Sequence, residues 1–260
     1  MFTFINSTVA FNSVVAGNAG SGGTGGTATT GTAGTAGTVG TSGPAIGGGV
    51  STSGAGAILN LTNDTVAYNS AVQNRVGRSV NGTGGGVSIG VNAAGSTANF
   101  ANTLVARNTA TTGPDVVGTV AKSQSNLIGN ADGSTGFGMA SGDNTGTTAR
   151  PVDPGLAGAL GNNGGPTQTL ALLSGSPALG AGNEFAPSSP SPFDQRGPGF
   201  PRLAGASIDI GAVAGAPAAF VLLTNGTIDT FTEHGGAQPL TSAPTFGPAC
   251  RLRKRTGSFR

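Results

Sequence analysis

An all-β fold of stacked parallel strands, a parallel β-helix, is what this 260-residue sequence predicts, and three observations predict it. First, one nine-residue motif occurs three times: Phe4-Ile5-Asn6-Ser7-Thr8-Val9-Ala10-Phe11-Asn12, Leu61-Thr62-Asn63-Asp64-Thr65-Val66-Ala67-Tyr68-Asn69 and Phe100-Ala101-Asn102-Thr103-Leu104-Val105-Ala106-Arg107-Asn108. Second, the triple glycines Gly47-Gly48-Gly49 and Gly84-Gly85-Gly86 lead into Val50 and Val87 and keep step with the last two copies. Third, the chain holds 49 Gly, no Trp and only 8% charged residues. That composition excludes a coiled coil or helical bundle and requires an architecture that buries small residues side by side.

The elements follow in order from residue 1 to 150. Short β-branched, roughly alternating runs separated by Gly, Asn and Ser are strands and turns, with no helical periodicity. Stacked about 4.8 Å apart, equivalent residues of successive coils pile on one another. Phe4, Leu61 and Phe100 then form one interior stack, and Val9, Val66 and Val105 another. The closing Asn12, Asn69 and Asn108, with Asn130 from a weaker fourth copy (Ser125 to Asn130), form an asparagine ladder at left-handed turn positions, each amide bonding to the next. Residues 18–45, almost pure Gly, Ala, Thr and Ser, form a flexible insert protruding from a coil.

Beyond residue 150 the texture becomes irregular and rich in Pro and Gly. In order come Asp153-Pro154-Gly155, Asn163-Gly164-Gly165 with Thr167, Ser176-Pro177, Asp194-Gln195-Arg196-Gly197 and Asp209-Ile210-Gly211. Over residues 1–212 this ordered series resembles the C-terminal part of bacterial choice-of-anchor Q domain proteins. The resemblance implies a right-handed parallel β-helix, similar to polymorphic outer-membrane and adhesin passengers, closed by an irregular C-terminal cap at 151–212. It also implies an extracellular or cell-surface location, adhesive partners such as surface glycans or a neighbouring or host cell, and a chain that is a fragment of a longer protein. Residues 213–260 start a separate β module, with a hairpin signal at Asn225-Gly226 between strand-like runs, and end in an atypical basic tail after Cys250.

The chemistry the sequence excludes is as informative. Five of the twelve basic residues lie in the last ten positions, so the body is mildly acidic and carries no basic stripe for nucleic acid. Cys250 is the only cysteine, which leaves no disulfide framework and no thiolate metal site. The start of the chain shows no secretory signal, and the most apolar stretch, Ala212 to Leu223, is too short to span a bilayer. A β-helix hydrolase needs two carboxylates about 5 to 9.5 Å apart, and the repeats stack none: the equivalents of Asp64 are Ser7 and Thr103. His234 stands outside the repeats and reads as a loop histidine; Asp132, Asp143 and Asp153 read as turn residues.

Asp194, Arg196 and Asp209 read as a cap, carboxylates that accept backbone N–H groups on the open last coil with an Arg clamp. No calcium β-roll is present, because the glycines of Gly22 to Thr27 come without Asp. Thr32, Thr35, Thr38 and Thr41 recur every third residue, a period that strand alternation does not keep on one face for ice binding. The expectation is thus a non-enzymatic exported scaffold with no catalytic residues, metal or cofactor. The alternatives are a carbohydrate-active β-helix, lyase or hydrolase, and an ice-binding solenoid.

Overall fold

The computed structural model describes residues 1–215, except 18, 19, 28, 30, 31, 33, 39, 41, 42, 76, 77, 80, 81, 186–190, 205 and 206, together with 220–224 and 227–231. The Asn225-Gly226 turn, His234, Cys250 and the basic tail lie outside the described residues. The described chain is almost entirely strand and loop, with one 3₁₀ turn at Met139–Ser141. It passes through four successive tiers. The first holds β1 (Phe2–Ile5), β2 (Thr8–Ala10), β3 (Ser13–Ala16), β4 (Ala45–Ile46) and β5 (Val50–Thr52). The second holds β6 (Ile58–Thr62), β7 (Thr65–Ala67), β8 (Ser70–Arg75), β9 (Arg78–Ser79), β10 (Gly82–Thr83) and β11 (Val87–Ile89). The third runs through β12 (Thr97–Ala101) and β13 (Leu104–Ala106) into the first half of β14 (Val116–Gln124). The second half of β14 opens the fourth, followed by β15 (Leu127–Ile128), β16 (Ser134–Thr135) and β17 (Asn144–Thr145).

Strands of successive tiers pair in parallel. One sheet runs β1-β6-β12-β14-β11-β5, folded at β14, which pairs β11 through Val116 and Val117 and β12 through Val120 to Gln124. A second runs β2-β7-β13-β15-β17. Their registers put Phe4 opposite Leu61 and Leu61 opposite Phe100. Val9, Val66, Val105 and Ile128 form the matching column of the second sheet. These columns meet Val50, Val87 and Val116 in one core, where Leu61, Phe100, Val66, Val105, Val87 and Val116 are buried and Phe137 closes edge-on over Phe100 at 5.2 Å. Each tier contributes a few apolar side chains, and parallel registry places them on their counterparts.

The triple glycines stack as well. The N–H groups of Gly47, Gly48 and Gly49 donate to Thr83, Gly84 and Gly85 at 2.9 to 3.0 Å. A Cβ on Gly86 would lie 2.5 Å from the Asp115 carbonyl and 2.7 Å from the Asn108 amide nitrogen, so this row is kept bare by close backbone approach.

Two regions differ from expectation. The insert reads as a flexible loop, yet its described residues form a hydrogen-bonded hairpin: Gly34, Gly37 and Gly40 donate to the carbonyls of Gly26, Gly23 and Gly20 at 2.9 to 3.1 Å. Bonding at every third residue is the period of polyproline II rather than of a strand. That period also keeps Thr32, Thr35 and Thr38, all exposed, in step along one leg.

The second is the segment 151–215. Expected as a cap on the last tier, it instead runs back along the second sheet to the first tier. Leu156, Leu170, Ala178 and Ile210 cover the sheet's outward residues Ala67, Leu104, Ala106 and Leu127 in a second core. The physical reason is that Leu104 and Leu127 alternate with the core-facing Val105 and Ile128, so both faces of this sheet are apolar and the outer one must be covered. A short antiparallel pair, β18 (Leu203–Ala204) with β19 (Ser207–Ile208), lies in this segment. The chain divides into two compact units, Met1–Gly215 and Ala216–Arg260. In the second, β20 (Phe220–Thr224) and β21 (Thr227–Phe231) pair antiparallel.

Truncating the shared column at Phe100→Ala is expected to destabilise the first unit by ~3–5 kcal/mol in denaturant unfolding. An equal truncation at the exposed Met139 is expected to leave the midpoint unchanged.

Candidate functional site

The turn between the second and third strands of each tier is bound to its neighbours by a chain of amides. Asn12 donates its N–H and Nδ2 to Asn69 Oδ1 at 3.0 and 2.9 Å, and Asn69 does the same to Asn108 Oδ1 at 2.8 and 2.9 Å. Asn69 Nδ2 and Asn108 Nδ2 also reach back to the carbonyls of Val9 and Val66. The left-handed residue is not the ladder Asn but the one before it: Phe11, Tyr68 and Arg107 have φ of 60°, 59° and 62°. Parallel stacking of Phe11 on Tyr68, 5.0 Å between centroids, offsets part of that strain.

Asn130 does not continue the ladder. With Ile128 opposite Val105, the ladder position of the fourth tier falls on Ala131, one residue later. Its place is filled from the glycine row: Val116 stands opposite Val87, which puts Asp115 where Gly86 and Gly49 stand below. The Asp115 carboxylate accepts Asn108 N–H and Nδ2 at 3.0 and 2.9 Å and a further bond from the Asn130 N–H. Asn130 Nδ2 turns to Thr148 Oγ1.

A second chain occupies the preceding turn. Asp64 accepts N–H bonds from Ser7 and Thr62, Thr103 N–H donates to Asn126, and Asn126 donates its N–H and Nδ2 to Asp143. Asp64 and Asp143 are both buried acceptors, so Asp143 is more than the turn residue the sequence suggests. Burial pushes the Asp64 carboxyl up to about 7 and the Asp115 carboxyl up to about 6. The signal that could have found Asp64 and Asn126 was their position two residues before Val66 and Ile128, among short polar residues that the repeat did not hold constant.

In 151–215 the predicted motif residues hold loops in place. Asp194 is fully buried and receives Arg196 through Nε and Nη2 at 3.1 and 2.6 Å, with N–H bonds from Arg196 and Ala214. The Arg196 guanidinium also lies 4.1 Å over the Phe200 ring. Asp209 accepts N–H bonds from Gly180 and Gly215. Asn163 donates to Thr169, and Gly164 and Gly165 have positive φ, with Phe200 and Arg196 filling the space of any Cβ. Thr167 Oγ1 accepts Gln195, Ser176 Oγ donates to Pro154, and the neighbouring Pro177 is exposed. Asp153 is exposed, and its carboxyl is held below the usual range by the Gly155 N–H and by Arg107. Gly197 and Gly211 both have positive φ.

The expected acceptor chemistry is thus present on a different target. Gly211 N–H donates to the Asn102 carbonyl, Asn6 Nδ2 to Phe193 O, and Arg202 to Asn6 Oδ1 and the carbonyls of Gly211 and Ala212. Arg202, buried with no ion pair to a carboxylate among the described residues, ties this segment to the first tier together with Phe193 and with Gln195, which bonds Thr8.

The surface these elements leave open is the outer face of the first sheet. Thr3, Asn60, Asn99 and Lys122 stand in one register column. Asn99 Nδ2 donates to Asn60 Oδ1 at 2.8 Å, and Asn60 Nδ2 to Thr3 Oγ1 at 3.3 Å. Above Asn60, Asn99 and Lys122 lies a cleft of about 590 Å³, bordered by Gln124, Ser141 and Asn183. Asn183 is fixed as its wall by a reciprocal pair of bonds with Asn102. The cleft offers amides, hydroxyls and one ammonium group, a set that hydrogen-bonds a polyhydroxylated chain. No group of three or more His, Cys, Asp or Glu that could hold a metal occurs among the described residues, and no helix there is long and apolar enough to cross a membrane.

Two outcomes follow. Asp194→Ala leaves Arg196 without its carboxylate and is expected to cost ~3 kcal/mol of stability. For Asp64 and Asp115 the folded pKa lies above the unfolded one, so between about pH 4 and 7 the folded state binds more protons and stability falls as pH rises. Chemical denaturation at pH 5 and pH 8 is expected to show the higher stability at pH 5, with the difference reduced in Asp64→Asn. No family model, curated protein or solved structure matches this chain.

Proposed function

We propose that the four tiers are turns of a right-handed parallel β-helix and that this solenoid serves as a non-enzymatic, exported surface scaffold that binds glycan along the cleft. The single observation that carries the reading is the column Thr3, Asn60, Asn99 and Lys122, which repeats polar groups at the spacing of the tiers beside an open cleft. A ligand with its own linear repeat of hydroxyls matches such a column in a way that a compact ligand does not. Right-handedness is the rule for crossovers between parallel strands of one sheet. The motif order shared with choice-of-anchor Q domain proteins supports export and an adhesive role at the cell surface.

A glycan array followed by calorimetry on the strongest binders tests this. Binding to extended polysaccharides without release of reducing ends is the expected result. Asn60→Ala and Asn99→Ala are each expected to weaken it ~10-fold, corresponding to about 1.4 kcal/mol, with the unfolding midpoint little changed. Turnover of the bound polymer would replace this reading with a carbohydrate-active one.

A further inference from the structure

The cleft beside the polar column is biased toward donors and carries one charge. Lys122 is exposed and forms no ion pair; the pairs among the described residues are Arg107 with Asp153 and Arg196 with Asp194. No Asp or Glu lines the cleft. Asp143 and Glu184 follow the lining residues Gly142 and Asn183 in the chain, but Asp143 is buried and accepts from Asn126 and Gly138, and Glu184 is not part of the lining. The wall residue Asn183 gives its N–H to Asn102 Oδ1 at 2.8 Å, and its carbonyl accepts Asn102 Nδ2 at 2.9 Å. Its own Oδ1 accepts the Phe185 N–H at 2.8 Å, so the group Asn183 has left to offer is the Nδ2 donor.

The column also has a direction. Asn99 donates to Asn60 and Asn60 to Thr3, so the amides point away from Lys122 and leave Asn99 Oδ1 as an acceptor with no bond among the described residues. Lys122 stands opposite Asn99, one strand spacing away, about 4.8 Å. We infer that the cleft is selective for an acidic polysaccharide built of uronic acid units, with Lys122 as the specificity-determining residue; this rests on the glycan reading above. A uronate presents a carboxylate beside ring hydroxyls. Its two carboxylate oxygens meet the Lys122 ammonium and the Asn183 amide, and a hydroxyl donates to Asn99 Oδ1. The ammonium is not neutralised by the protein, so a carboxylate gains a charge-assisted bond there that a neutral sugar does not.

Calorimetry of the full chain with a hexamer of 1,4-linked galacturonic acid, set against the same hexamer with its carboxyl groups methyl-esterified, tests this. The acid is expected to bind about fivefold more tightly than the ester, the range of one exposed ion pair. Raising the salt from about 0.02 M to about 0.3 M is expected to narrow that ratio. Lys122→Gln is expected to bring the ratio to about one, and Lys122→Arg to keep it above one. The basic residues Arg251, Arg253, Lys254, Arg255 and Arg260 attract any polyanion, but they are the same in all three chains. An acid preference that survives Lys122→Gln therefore belongs to them and overturns the proposal. Equal binding of acid and ester by the unaltered chain overturns it as well and leaves the glycan reading standing. Tighter binding of a sulfated neutral hexamer than of the uronate reassigns the site to sulfate esters and overturns it too. If neither hexamer binds and no neutral polysaccharide does, the glycan reading itself fails and the proposal falls with it.

Discussion

Every turn of a stacked parallel sheet leaves backbone N–H groups pointing along the stack, and this protein meets much of that demand with short acceptor side chains at the turns. In one turn the acceptors are Asn69, Asn108 and Asp115; in the preceding turn they are Asp64, Asn126 and Asp143. The rest of the architecture depends on this. Because the turns are held vertically by hydrogen bonds, the interior columns stay in registry with few large residues, and rows of glycine suffice where backbones come closest.

The same constraint explains the charge pattern. An amide both donates and accepts, so it relays the ladder from one tier to the next, whereas a carboxylate only accepts and therefore ends it. Asp115 ends one ladder; in the preceding turn Asp64 ends the link from the first tier, and Asp143 ends the run from Thr103 through Asn126. Burying these carboxyls is tolerated because each accepts two or more N–H groups, although burial still drives Asp115 toward its neutral form.

Segment 151–215 follows from the second sheet rather than from the end of the stack. The outward column of Leu104 and Leu127 would otherwise face water, and Leu156, Leu170 and Ile210 remove it. Buried polar anchors fix where that cover lies: the Asp194–Arg196 pair and Asp209 shape its loops, while Arg202 and Gly211 join it to Asn6 and Asn102. Through Asn183, the same segment walls the cleft on the first sheet, so a structural cover and a candidate binding surface share one element.

What the sequence by itself determined is whatever repeats. The recurrence of Phe4, Leu61 and Phe100 and of Asn12, Asn69 and Asn108 at fixed offsets specifies strands, turns and vertical partners, since identical local patterns satisfy one another in a parallel register. The cleft column was not legible, because Asn60 and Asn99 precede the motif and look like ordinary exposed strand residues. Only the tertiary structure decided what does not repeat. It moved the fourth acceptor from Asn130 to Asp115, since a one-residue offset in register is invisible until strands pair. It also placed 151–215 along the second sheet instead of over the last tier, because contacts such as Arg202 with Asn6 join residues nearly the whole unit apart and leave no local pattern to read.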